Sequence, residues 1–239
     1  GWAKRPPSNS RWSPPEVAVV ALAGDLIWQG RIMMGMAVIT QYLGYLRPGE
    51  LLSLAASQLI PPSARQRPAC WAILLHPSGT EETSASKVGA RDESLLLDTP
   101  GWEDVSVMFA DVRNCLPPEA QIFPFDGEAY HDALAESATL SGLAFLHIVP
   151  YSLRHAGASN DILAKKRPLA EVKSRGRWKS DPSLQRYTKP ARAQEMMHQI
   201  QEPVKGYGYL IRSKLGLLPA RLRERPDASL ATTSSGSLA

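Results

Sequence analysis

The chain has 239 residues, 44% of them hydrophobic and 21% charged, which excludes a chain disordered throughout and allows one sizeable core or two small ones. Lys and Arg outnumber Asp and Glu by 27 to 23, a formal balance of +4 with a pI of about 9.1, too small an excess to name a partner. Cys70 and Cys115 lack a CxxC or Cys/His neighbour, which argues against a disulfide framework or zinc site, and no apolar run approaches the roughly 18 residues of a membrane span.

In chain order, the Pro- and Ser-rich residues 1–14 read as a linker from an upstream region, in a chain that begins at Gly1 rather than Met. Ser13 to Glu16 has a capping-box pattern with proline in the first turn and predicts a helix through the apolar run to Trp28. A second helix is expected from Arg31 to Tyr45 and a third from Pro48. The period then changes. Ala69 to His76 and Glu93 to Asp98 predict a small antiparallel hairpin or sheet, whose connection, Ser78 to Arg91, holds one lysine, Lys87.

Helical patterns return at Trp102 to Leu116, Glu128 to Leu146, Ser152 to Lys165 and Leu169 to Arg175. Asp181-Pro182 resembles an N-cap opening a short helix that carries Tyr187, and a last helix is expected at Ala191 to Gln201. Residues 203–239 read as a C-terminal extension, largely disordered from about 217. The expected class is α+β, mainly α, with a small antiparallel β-sheet.

Charge is unevenly spread. From Lys165 to Arg192 ten bases face two acids, a balance of +8, whereas from Thr80 to Leu140 thirteen acids face three bases. The basic segment is what a phosphate-binding face requires, and Lys165, Lys166, Arg167, Lys173, Arg175, Arg177 and Lys179 are its candidate DNA contacts. A solvated helical face would give the same arithmetic.

Chemistry separates these readings. Pro150-Tyr151-Ser152-Leu153-Arg154-His155, then Gly176-Arg177-Trp178, then Tyr187 nine residues after Trp178, resembles the second conserved box of the tyrosine recombinases, the phage integrase family. Arg47-Pro48-Gly49-Glu50 before a Leu-rich helix resembles the family's first box, and Lys87 stands where the family places a catalytic lysine. The resemblance spans about residues 15–200 and implies a tyrosine-recombinase catalytic domain over 15–202.

It implies DNA strand cleavage and rejoining, in site-specific recombination or integration of a mobile genetic element, through a 3′-phosphotyrosine at Tyr187. Arg47 and Arg154 suit the nonbridging phosphate oxygens, because guanidinium is planar, permanently charged and bidentate. Lys87 is the expected general acid for the 5′ oxygen, Trp178 an indole N–H donor, and Glu50 a support from behind. No metal or nucleotide cofactor is expected: the histidines form no ligand-spaced cluster, and no GxxxxGK[ST] loop is present.

Two departures stand out: Tyr151 occupies the position usually held by His or Lys, and the family's separate amino-terminal helical domain has no counterpart in this length. His155, directly after Arg154, is expected to be structural and to point elsewhere. The expected partner is double-stranded DNA, with a tetramer assembled on it through helices after the tyrosine and no membrane. The expected location is intracellular, nuclear in a eukaryote and otherwise cytoplasmic on the chromosome. The alternatives are a catalytically degenerate DNA-binding relic of such an integrase and an unrelated helical interaction domain.

Overall fold

The computed structural model describes residues 13–63, 70–75, 93–178, 180, 184 and 187–217. These form nine α-helices: α1 (Glu16–Trp28), α2 (Ile32–Gly44), α3 (Pro48–Leu52), α4 (Val107–Cys115), α5 (Gly127–Leu140), α6 (Pro150–Leu163), α7 (Leu169–Arg175), α8 (Pro190–Gln199) and α9 (Glu202–Lys214). Three short strands, β1 (Leu59–Ile60), β2 (Ala72–Leu75) and β3 (Glu93–Leu96), make an antiparallel sheet in the order β1-β2-β3. The α+β, mainly helical class is therefore observed.

α1 organises the core. Its residues are apolar on almost every face, with Val17 to Gly24 and Leu26 all buried, so it cannot lie on a surface. It packs against α2, α5, α6 and α9. Glycines set the closest approach: a Cβ on Gly208 of α9 would lie 2.5 Å from the Val17 carbonyl, and one on Gly24 would lie 2.6 Å from Ile211. The extension read from residue 203 thus begins inside a helix that belongs to the core.

The expected capping box at Ser13 does not form. Pro15 is the N-cap and makes no side-chain cap, while the Glu16 carboxylate accepts from the Tyr42 hydroxyl at 2.9 Å and from Lys166 Nζ at 3.1 Å. The helix expected over Trp102 to Leu116 opens instead with a 3-10 turn at Glu103–Ser106. The one expected over Glu128 to Leu146 stops at Leu140, because Gly142 adopts φ +67° and Leu143 N–H reaches back to the Ala138 carbonyl at 2.7 Å.

The same closure ends α2 without a glycine. Tyr45 takes φ 47°, and Leu46 N–H reaches the Gln41 carbonyl at 3.2 Å. A left-handed non-glycine residue costs about 1–2 kcal/mol. Here the cost is offset by burial of the ring and by a hydrogen bond from the Tyr45 hydroxyl to Asp161 Oδ2 at 2.5 Å. Tyr45 also belongs to a second, smaller apolar cluster with Ala158, Val172, Leu184 and Tyr187, bordered by Ile162 and Trp178.

The sheet flanks the helices through β2, whose Ile73 and Leu75 face the core. Its register pairs Leu59 with Ile73 and Leu75 with Glu93. The hairpin connection with Lys87, the Asp181-Pro182 cap, Lys179 and residues 1–12 and 218–239 lie outside the described residues. Among the described residues no helix is long and apolar enough to cross a membrane.

Candidate active site

The site is built where three segments meet: the α2–α3 turn, α6, and the stretch that follows α7. Pro48 at the first helical position sets the start of α3, and the Glu50 carboxylate reaches back to the Arg47 backbone N–H at 2.7 Å. The same carboxylate accepts from Arg47 Nη1, and from Arg177 Nη2 at 2.5 Å. Glu50 thus holds one arginine from its own helix and one from 127 residues further along.

Arg154, on α6, is 1% exposed. Its Nη1 donates to the Tyr45 carbonyl at 2.5 Å and lies 3.9 Å from Glu50 Oε2, and its Nη2 donates to the Gly176 carbonyl. Nε is buried with no hydrogen-bond partner among the described residues. Its guanidinium carbon sits 4.9 Å from the centroid of the Trp178 ring. Burial, then the neighbouring charges of Arg177 and Arg47, bring its pKa down to about 10, still leaving it cationic at neutral pH.

Among the described residues three guanidinium groups surround this one carboxylate, that of Glu50. Arg177 is held there in a left-handed conformation, φ 52°, directly after Gly176. Gly176 has no alternative residue: a Cβ would fall 1.8 Å from the Trp178 ring.

Trp178 continues the chain of contacts. Its ring lies 5.0 Å from that of Tyr187, and Tyr187 lies 5.0 Å from the His155 ring, stacked on it at an interplanar angle of 30°. The Tyr187 hydroxyl and His155 Nδ1 are 2.5 Å apart. Ser159 Oγ donates to the Tyr187 carbonyl at 3.0 Å, and Tyr151 meets the His155 ring edge-on at 4.7 Å. Tyr187 is 3% exposed.

Five of the six residues expected to be catalytic, Arg47, Arg154, Trp178, Tyr187 and Tyr151, are therefore joined by a continuous set of contacts; the sixth, Lys87, lies outside the described residues. His155 is the correction. Consecutive helical residues diverge, so Arg154 turns to the α2–α3 turn, but this leaves His155 facing Tyr187 rather than elsewhere. Tyr151, His155 and Ser159 are spaced i, i+4 and i+8, the signal in the sequence that marks one helix face.

The basic segment is largely neutralised from within. Arg167, 5% exposed, pairs with Asp98 at 2.6 Å, Asp161 at 3.0 Å and Glu171. Burial opposes its charge, but hydrogen bonds to Asp98 and Glu171 prevail and raise its pKa. Arg175, 6% exposed, pairs with Asp98 at 3.1 Å, donates to the Leu43 carbonyl at 2.8 Å, and lies over the Tyr45 ring. Arg177, 7% exposed, pairs with Glu50.

These three arginines are thus corrected from solvent-facing DNA contacts to inward ties, because acids distant in sequence stand beside them in the fold. Lys166 pairs with Glu16 at 3.1 Å, Lys173 is half-buried, and Lys165 is exposed. Lys179 lies outside the described residues. Among the described residues no group of three or more His, Cys, Asp or Glu side chains is placed to hold a metal ion. No family model matches the chain, and neither the curated proteins nor the solved structures searched contain a match.

Proposed function

We propose that this chain cuts and rejoins DNA in the manner of a tyrosine recombinase, with the Tyr187 hydroxyl as nucleophile and a 3′-phosphotyrosine as intermediate. The observation that carries this reading is the convergence of Arg47, Arg154, Trp178 and Tyr187, drawn from a span of 140 residues, with the arginines gathered at the Glu50 carboxylate. Attack on a phosphodiester places extra negative charge on the nonbridging oxygens, and donors fixed in advance stabilise it; removing one such donor costs about 3–4 kcal/mol.

Arg154 Nε is a donor left over after Nη1 and Nη2 are anchored on carbonyls, and Arg47, 39% exposed, presents the other guanidinium at the surface. Lys87 protonates the departing 5′ oxygen in this reading, as the resemblance implies. Covalent linkage to tyrosine keeps the energy of the broken phosphodiester for rejoining.

One observation favours a second reading. Tyr187 is part of a small apolar cluster and is hardly exposed, which suits a DNA-binding relic in which the tyrosine only packs. A duplex nicked beside the cleavage point decides between them. The enzyme traps a covalent adduct on Tyr187 that Tyr187→Phe abolishes with DNA affinity unchanged, and Arg154→Ala lowers both. Salt-dependent DNA binding without adduct selects the relic, and no DNA binding by the folded wild type refutes both.

A further inference from the structure

The contact between Tyr187 and His155 goes beyond the roles implied by the motif. Tyrosine ordinarily has a pKa of about 10, so at neutral pH nearly every phenol is protonated and a nucleophile of this type needs a proton acceptor. Tyr151, in the position where the family has His or Lys, is itself a phenol and a poor acceptor at neutral pH. An imidazole nitrogen is the suitable group, and the fold places one 2.5 Å from the hydroxyl of Tyr187.

We propose that His155 is the general base that takes the Tyr187 proton, an inference that rests on the recombinase reading. With the ring proton on Nε2, Nδ1 accepts from the phenol. As the Tyr187 oxygen forms its bond to phosphorus, its proton passes to Nδ1, making His155 an imidazolium. The P–O5′ bond breaks, its electron pair goes to the 5′ oxygen, and Lys87 supplies the proton that oxygen gains. Rejoining runs in reverse: the 5′ hydroxyl attacks the phosphotyrosine, its proton returns to Lys87, and Nδ1 gives its proton back to the departing phenolate.

The surroundings fix both partners. Tyr151 meets the imidazole edge-on one helical turn before it, which sets the ring plane. Ser159, one turn after, holds the Tyr187 carbonyl, so the tyrosine is tied to the same helix face at its backbone and at its hydroxyl. Tyr187 from the segment after α7 and Tyr151 from its own helix both face His155, and Arg154 precedes it in the sequence.

The test is single-turnover adduct formation on the nicked duplex by the full chain. His155→Ala is expected to slow the wild-type rate by about 10²- to 10⁴-fold, with DNA affinity unchanged, and added imidazole is expected to restore part of the rate. His155→Asn keeps a polar group beside the hydroxyl but supplies no base, so it guards against a variant that misfolds and is expected to be equally slow. A rate within threefold of wild type for either variant, or a slow His155→Ala that imidazole does not rescue, overturns the assignment. If the wild type forms no adduct, the recombinase reading fails and this inference falls with it; if the wild type reacts at Tyr187 and the variants keep pace, only the role of His155 is lost.

Discussion

Replacing Glu50 by Gln removes one charge from the centre of the arginine cluster while keeping the side chain's shape. In the wild type its two oxygens receive the Arg47 backbone N–H, Arg47 Nη1 and Arg177 Nη2, with Arg154 Nη1 at 3.9 Å. The amide turns a donor toward donors and removes the charge that Glu50 sets against Arg47, Arg154 and Arg177. Breaking one side of a buried pair costs about 3–5 kcal/mol. Arg47 is 39% exposed and its share is screened by solvent, so the lower end, about 3 kcal/mol, is expected.

For a domain of this size each kcal/mol moves the melting temperature by about 2–4 °C, which predicts a fall of about 6–12 °C at neutral pH. Thermal unfolding followed by circular dichroism reads this directly. With that charge gone the arginines become a better anion site, so sulfate is expected to raise the melting temperature of Glu50→Gln more than that of the wild type. A variant melting within about 2 °C of the wild type, with no added response to sulfate, would refute the view that Glu50 balances this cluster.

Further outcomes follow from burial and contact. Tyr42 and Tyr130 are raised well above the ordinary tyrosine range by burial, Tyr42 further by Glu16, and Tyr45 by burial and then Asp161. Above a pH of about 10 the unfolded chain loses these protons while the fold keeps them, so the stability they contribute is complete below that value and lost as pH rises. Arg154 and Arg175, both lowered chiefly by burial, work in the opposite sense over the same range, two arginines against the three phenols. Absorbance at 295 nm is expected to show the three phenols ionising together with unfolding rather than before it. Gly157→Ala is expected to destabilise the fold by several kcal/mol, since its Cβ would fall 2.0 Å from the Tyr42 carbonyl, whereas Gly206→Ala, with open space at its Cβ in α9, is expected to add about 0.5–1 kcal/mol; urea titrations measure both.

The helices were legible where apolar periodicity and proline punctuation agreed. α7 runs from Leu169 to Arg175 as read, and α6 differs only at its ends, because Pro150 already occupies the first helical position. β1 was not legible, since two residues carry no period and Leu59 pairs only because Ile73 lies opposite. α9 was missed because Gly206 and Gly208 resemble loop residues, whereas Gly208 is required by the closeness of Val17.

The ordering of Arg47, Arg154, Trp178 and Tyr187 could be read from spacing; what could not be read was where the basic charges point. Arg167 meets Asp98 across 69 residues, and no local window contains both. Much of the basic charge that the sequence lines up as one segment turns inward, where Arg167 and Arg175 tie α7 and the turn before it to Asp98. Adjacency to Arg154 conceals His155 in the sequence, whereas its spacing from Tyr151 and Ser159 puts it on the face that meets Tyr187.

The clasp between α1 and α9 has a consequence for synthesis. A chain made from the amino terminus exposes α1, the most apolar helix of the fold, well before the residues that cover one of its sides exist. Val17 and Gly24 must wait for Gly208 and Ile211. At about 5–20 residues per second, some 180 residues of delay leaves that flank uncovered for roughly ten to forty seconds. Completion of the fold is thus tied to the arrival of α9, and a nascent chain stalled after the tyrosine would present an adhesive α1 surface to whatever holdase is near the ribosome.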